Sequence, residues 1–400
     1  MGYRYIGTDI DGPRFNPEQL YVRNRNLNDL IGNFSFSGTI YHLLTGQEAT
    51  PSQEKLLDRY LVSALSSLTE DDPVLEVIRT VVASGATFSQ AIIAGLMVEK
   101  TKSFEQIIAG FDLNAIGLDR ESQIGLYYVG LIPALMAIAI ESIQCIQGKS
   151  FDRKNSDGKS LQFTSGDKDY IEALFTLCTN SNFSNSTERK IFNDVMVSFH
   201  AGWGFIAPTV VLPRVAITTR VPISQALAAG FTAAGPAHVG ACEKSMEFFT
   251  ALHQTIIHQY GSEDREAIVI KLLEERLAKK EKIPGFGHPV FKVDPRSHRL
   301  RSIIAEIELQ SDFIELYDIT AQFFKEKLAI YPNIDGITAP ILLSLGMMPP
   351  YGTGLFLCAR SSAMVAHILE HKEKPPFGAT SKELRKWYSQ WYGPMAVGVD

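Results

Sequence analysis

The sequence predicts a mainly α-helical protein, on three observations. Apolar residues recur at helical spacing in segment after segment of the 400-residue chain, alternating strand patterns are scarce, and nothing resembles a series of β-α-β units. In chain order, residues 3 to 7 and 20 to 23 are short strand candidates. Thr50-Pro51-Ser52-Gln53 then combines an N-cap hydroxyl, a proline at the first helical position and a capping-box amide. Leu56, Leu57, Tyr60, Leu61 and Ala64 follow at helical spacing, so a helix starts there. Similar periodic segments lie around residues 75 to 84, 88 to 98, 169 to 179, 188 to 200, 223 to 233, 242 to 259, 264 to 280, 298 to 308, 312 to 328 and 353 to 370. The apolar run Ile124 to Ile140 contains Gly125, Gly130 and Pro133 and falls short of the ~20 residues that span a bilayer. It reads as a buried or subunit-interface helix.

Composition is that of a globular chain: 45% hydrophobic and 20% charged, with 30 Gly and 19 Pro, which excludes disordered, collagen-like and fibrous classes. The length allows two to four domains at ~100–200 residues each. A formal net charge of −6 offers no global footprint for nucleic acid or an anionic membrane. The four cysteines, Cys145, Cys178, Cys242 and Cys358, form no C-x-x-C pair, and the start Met1-Gly2-Tyr3-Arg4-Tyr5-Ile6 lacks an apolar signal core. A cytoplasmic location is the expectation.

Two polar stretches, Gly148 to Asp169 and Asn180 to Thr187, have no apolar period and read as surface loops. Ser89-Gln90-Ala91 with Ala94-Gly95 is echoed by Ser224-Gln225-Ala226 with Ala229-Gly230. Each echo follows an arginine ten positions earlier, Arg79 and Arg214. Two short echoes are no repeat array. They read as two similarly packed helices whose small residues admit close neighbours.

The chemistry points elsewhere. His238 lies in Gly235-Pro236-Ala237-His238-Val239-Gly240, His288 in Pro284-Gly285-Phe286-Gly287-His288-Pro289, and Asp335 in Tyr331-Pro332-Asn333-Ile334-Asp335-Gly336. Glycine and proline bend the chain around each, as happens where a side chain must be aimed into a cavity. Singly, each is a turn residue. Together, two imidazoles and a carboxylate make an acid/base set. No pair has the i, i+4 spacing of a helical metal motif, so no metal is expected.

These motifs, with Asp294-Pro295-Arg296 after His288 and Arg360 leading to Ala366-His367, resemble the citrate synthase superfamily in kind and order. The likeness runs from Tyr41-His42-Leu43-Leu44-Thr45-Gly46 to about Glu370. It implies an all-α homodimer of two-domain subunits. Residues 1–235 and 346–400 would form the large domain and 236–345 the small one. It also implies coenzyme A thioester as a substrate, with no permanently bound cofactor. By the resemblance, His238 holds the thioester carbonyl, Asp335 removes the α-proton and His288 polarises the ketone of a 2-oxo acid. Arg296 and Arg360 match its carboxylate-binding positions, Lys292 a position near CoA phosphate, and Gly285 and Gly287 line that side. His42, His253, His258, His298, His367 and His371 lie on helix-like faces and read as structural.

The pattern breaks in two places. Where the family carries His-Ala-Asp-His-Glu, this chain reads His200-Ala201-Gly202-Trp203-Gly204, followed by Phe205. His200 and Trp203 thus become the candidate acceptor contacts, and the exchange of imidazole and carboxylates for indole, glycine and phenyl favours a less polar acceptor. Near the C-terminus, Glu373-Lys374-Pro375-Pro376 stands where the family often supplies Arg-Pro to the neighbouring subunit. Lys374 keeps that charge without the bidentate fork. Three functions remain open at this point: Claisen condensation of an acyl-CoA with a 2-oxo acid, the reverse cleavage of a 3-hydroxy-acyl-CoA such as citryl-CoA, and a catalytically altered scaffold.

Overall fold

A computed structural model describes residues 8–374 except 16, 70, 99–102, 149–167, 205–206, 236–237 and 261–263. The strand candidate at 3 to 7, most of the polar stretch from Gly148, Phe205 and residues from Pro375 onward therefore lie outside the described residues.

The chain enters through a three-stranded antiparallel sheet of β1 (Asp11–Phe15), β2 (Glu18–Val22) and β3 (Arg25–Asn26) in the order β1-β2-β3. The sequence showed only part of β2. Gly12 and Pro13 disguise β1, because both are rare in strands, yet Pro13 is tolerated on an edge strand. Across the pair, the Arg14 guanidinium sits 3.7 Å from the Tyr21 ring centre.

Helices follow. α1 (Leu27–Leu30) and α2 (Phe36–Thr45) lead to α3 (Pro51–Leu65), where the expected capping box is present: Thr50 accepts from the Gln53 N–H and the Gln53 side chain answers the Thr50 N–H. α4 (Pro73–Ala83), α5 (Phe88–Met97) and α6 (Phe104–Gly110) precede α7 (Arg120–Ile146), the long apolar helix. α7 packs on α3 and α17 (Pro350–His371). It passes α3 so closely that a Cβ on Gly130 would lie 2.7 Å from the Leu61 carbonyl oxygen. α7 and α17 are both long and apolar enough to cross a bilayer, but their apolar windows are 72% and 94% buried inside the protein, as in core helices.

α8 (Tyr170–Thr179) and α9 (Ser186–Ser198) flank the polar turn, and Asn185 caps α9 by accepting from the Glu188 N–H. α10 (Pro208–Ile217) escaped the periodicity because Pro208 and Pro213 interrupt it; Pro208 serves at N1, where no N–H is needed. α11 (Ile223–Phe231) packs on α10 and on α5, so the two echoed segments do touch.

α12 (Ala241–Gln259), α13 (Arg265–Ala278), α14 (Pro295–Glu306), α15 (Asp312–Leu328) and α16 (Ile334–Ser344) complete the fold. α16 packs on α12, α14 and α15, and meets the first part of the chain at α9. Gly336 and Pro340 broke its helical pattern in the sequence.

Candidate active site

Two loops that precede helices are zipped together. The Gly287 N–H donates to the Tyr331 carbonyl at 2.8 Å, the Asn333 N–H to the Gly285 carbonyl at 2.9 Å, and the Asn333 Nδ2 to the Gly287 carbonyl at 2.7 Å. Asn333 Oδ1 also caps α16 by accepting from the N–H groups of Asp335 and Gly336. One amide thus fixes both the His288 loop and the helix start that carries Asp335. Gly285 (φ +85°) and Gly336 meet so tightly that a Cβ on Gly336 would lie 2.2 Å from the Gly285 oxygen. No other residue type fits that crossing.

Asp335 stands in the first turn of α16 between the buried Ile334 and Ile337, and its Oδ1 is buried without a hydrogen-bond partner. Burial pushes its carboxyl up to about 6, against the opposing pull of Arg296 and Arg360. Arg296, in the first turn of α14, is 2% exposed. Its Nε and Nη2 donate to the two oxygens of Asp294 at 3.0 and 2.8 Å, while Nη1 is buried without a partner. Asp294 caps α14 and also accepts the Ile334 N–H at 3.0 Å, so it joins the starts of α14 and α16.

Arg360, midway along α17, is likewise 2% exposed and has no carboxylate partner among the described residues. Its Nε reaches the Phe199 carbonyl at 3.4 Å and its guanidinium lies 4.7 Å from the Phe356 ring centre. Burial first, and the Arg296 charge second, bring its ionisation down to about 9. A buried cation in this state favours an incoming carboxylate, which would supply the missing counter-charge.

His288 is held in one tautomer. Its Nδ1 accepts the N–H groups of Val290 and Phe291 at 3.1 and 3.0 Å, so the ring proton resides on Nε2. The ring clusters with Trp203 and Phe291, with centroids 5.2 and 5.4 Å away, and those two rings also touch each other at 4.9 Å. Burial holds its pKa below the ordinary imidazole value, opposed in part by Asp294. His238 is kept neutral more strongly: burial and then Arg360 bring it down to about 4. It sits in a bridge in which Gly235 and His238 exchange backbone hydrogen bonds at 2.9 Å, with Pro236 and Ala237 outside the described residues. Its Nε2 lies 3.2 Å from the Thr209 hydroxyl. The next residue, Val239, is held at φ +76°, a strained conformation for a β-branched side chain.

The two guanidiniums link the three acid/base groups: the Arg296 charge acts on His288 and Asp335, and the Arg360 charge on His238 and Asp335. Trp203 joins them, 6% exposed, with Arg296 5.4 Å from its ring centre.

Other candidates fall elsewhere. His200 is fully buried, its Nδ1 2.7 Å from the Ser362 hydroxyl and its ring against Phe36, while its Nε2 is buried without a partner. Gly285 is buried in the crossing with Gly336, which gives it a packing role; Gly287 (φ +86°) remains partly exposed at the bend before His288. The Lys292 side chain is exposed. Lys374 lies within its own chain against His371 Nε2 at 3.1 Å.

His367, Glu370 and His371 gather their ligand atoms within 4.8 Å of one another. Arg214 donates to His371 Nε2, and His367 Nε2 is 3.0 Å from Asp11, so these imidazoles already have partners. Sequence reasoning missed Asn333 and Asp294 as organisers of the site, although Asp294-Pro295 is an N-cap followed by an N1 proline. It also missed Asp11, for which no local signal exists.

The sequence model described as "Citrate synthase, C-terminal domain" matches residues 5–377. The chain belongs to the citrate synthase family. It is 24% identical over 367 residues to the citrate/2-methylcitrate synthase of Bacillus subtilis, covering 88% of this chain and 86% of that protein. A citrate synthase of Heyndrickxia coagulans is 33% identical over 107 residues, 26% of this chain and 29% of that protein. In fold the chain is similar to the crystal structure of citrate synthase from Thermotoga maritima, with a TM-score of 0.66 at 20% identity, covering 98% of this chain and 95% of that one. In this citrate synthase family member the charges of two buried arginines act on two imidazoles and a carboxylate, and Trp203 packs against one of those imidazoles.

Proposed function

We propose that the protein condenses an acyl-CoA with a 2-oxo acid in a Claisen reaction and releases coenzyme A by hydrolysis of the thioester. The observation that carries this is Asp335, whose carboxylate has an unpartnered buried oxygen and a pKa brought up to about 6 within the field of Arg296 and Arg360. Raised basicity is what removal of a weakly acidic α-proton requires, while the group stays ionised at neutral pH. As the proton leaves, negative charge grows on the thioester oxygen. A neutral imidazole aimed there, His238, contributes ~3–4 kcal/mol as a preorganised donor. The enolate carbon attacks the ketone carbon, His288 Nε2–H polarises the ketone oxygen, and Arg296 Nη1 with Arg360 holds the acceptor carboxylate.

Support for a less polar acceptor than oxaloacetate comes from Trp203, whose indole occupies the side of His288 with apolar surface. The name citrate/2-methylcitrate synthase, carried by the Bacillus subtilis relative, agrees with an acyl-CoA that is acetyl-CoA or a longer homologue. We further propose a cytoplasmic homodimer without a resident cofactor or metal. In it, residues 236–345 form a small domain that closes on the large one, Lys292 approaches CoA phosphate, and Lys374 serves the neighbouring subunit.

The test is α-proton exchange. Purified protein given an acyl-CoA and a 2-oxo acid in deuterated water will incorporate deuterium and release free thiol, and Asp335→Asn will slow both by about 10²–10⁴. Exchange without thiol release would favour the reverse, lyase direction. Neither event with any acyl-CoA would leave the altered-scaffold reading.

A further inference from the structure

The site's acceptor side depends on a residue from the opposite end of the chain. Asp11, the first residue of β1, is 7% exposed, and its two oxygens accept the N–H groups of Gly202 and Gly204 at 2.5 and 2.7 Å. These are the two neighbours of Trp203, which the structure holds at φ +62°. Left-handed backbone is costly for a tryptophan and persists only where its surroundings over-determine it. A carboxylate that bonds the peptide N–H on each side of the residue is such a determinant. The contact is crowded as well: a Cβ on Gly202 would come within 2.9 Å of Asp11 Oδ2.

Asp11 is itself anchored. His367 Nε2 lies 3.0 Å from its Oδ1, and the other ring nitrogen of His367 is 3.3 Å from the Thr8 hydroxyl. The chain Thr8–His367–Asp11–loop–Trp203–His288 therefore runs through named contacts from the N-terminal segment to an acid/base imidazole.

We propose that Asp11 is the positioning residue for acceptor selectivity, fixing the Trp203 indole against His288 through the two peptide N–H groups beside it. This rests on the condensation reading above for its enzymatic consequence, though not for its structural one.

Two readouts separate those levels. Trp387→Phe and Trp391→Phe leave Trp203 as the sole tryptophan of the three, so acrylamide quenching reports its exposure without any turnover. In that background Asp11→Asn replaces one acceptor oxygen by an amide donor that faces an N–H. The quenching constant of Trp203 is expected to rise about threefold, and KM for the preferred 2-oxo acid about tenfold, as for loss of one buried charge-assisted hydrogen bond. Acyl-CoA α-proton exchange should stay within about twofold of the parent, since Asp335 and His238 are untouched. Unchanged quenching overturns the proposal, whether or not the enzyme turns over. Raised quenching with unchanged KM overturns the selectivity role. Raised quenching with no activity in the parent protein would instead sink the condensation reading while leaving Asp11 as the anchor of Trp203. If Asp11→Asn does not fold, His367→Phe, which keeps a ring but removes the hydrogen bond to Asp11, must shift both readouts in the same direction, and its failure to do so is equally decisive.

Discussion

Asp294 binds Arg296 with both carboxylate oxygens, at 3.0 and 2.8 Å, and this leaves the third guanidinium nitrogen, Nη1, buried with nothing to donate to. An arginine can be fully oriented by one carboxylate and still offer a fork edge to a second because its five donors lie in one plane. Asp294 also accepts the Ile334 N–H, so the group that orients the acceptor site is the one that ties down the start of the helix bearing Asp335.

Arg296→Lys keeps the charge and loses that geometry. A lysine bonded to Asp294 has no planar edge left for substrate, so KM for the 2-oxo acid should rise roughly 10- to 100-fold, with acyl-CoA proton exchange less affected. Steady-state kinetics against exchange measured by NMR separates the two. Equal losses in both would show that Arg296 acts on Asp335 instead.

Asp335→Asn should lower the exchange rate by about 10²–10⁴ and make the protein more stable. In the folded state the carboxyl titrates at about 6, against 3.8 for an ordinary aspartate. Between those values the native state binds more protons than the unfolded chain, so stability falls as pH rises through this window and the full cost is present above about 6. That cost is about 2–3 kcal/mol at pH 7. Thermal melts should therefore place the variant above the parent at pH 7.5 and bring the two together toward pH 4. Activity has the complementary profile. It climbs as pH rises through about 6, while His238, at about 4, remains neutral throughout.

Asn333→Asp preserves the cap on α16 but removes the donor to the Gly287 carbonyl and sets a second carboxylate two residues from Asp335. Like charges nearby disfavour ionisation, so the acid limb of the pH–rate profile should move up by about one pH unit. A limb that stays in place, or moves down, contradicts the arrangement described.

Gly336→Ala would drive a methyl group onto the Gly285 oxygen, 2.2 Å from the ideal Cβ position and on backbone that cannot swing away. A loss of about 2 kcal/mol or more is expected in denaturant unfolding, together with reduced turnover as the His288 loop and α16 are pushed apart. The same change at Gly12, where a Cβ would meet nothing within 4 Å, serves as the control.

Trp203→His should raise the use of oxaloacetate relative to less polar 2-oxo acids, because a second imidazole restores a hydrogen-bonding wall beside His288. Ratios of kcat/KM over a panel of acceptors report this, and an unmoved ratio would remove Trp203 from the acceptor pocket.

The helical class and the start of α3 with its capping box were written in the primary sequence, because each depends on spacing of a few residues: an apolar period, a hydroxyl three positions before an amide. The bend formers around His238, His288 and Asp335 are equally local, while the acid/base role given to those residues is part of the proposal above. α10 and α16 were hidden by their own prolines, since local propensity argues against helices that tertiary packing nonetheless stabilises. What only the folded chain decided is which groups face which charges. His200, read from its motif as an acceptor contact, has its Nδ1 engaged by Ser362 and its ring packed on Phe36, which leaves Nε2 as its one unpartnered polar atom. Asp11, unremarkable in its local setting, reaches across 191 positions to Gly202 and across 356 to His367. Burial and Coulomb fields depend on distance in space, and no period in the chain encodes the separation of residues that meet only after the core has closed.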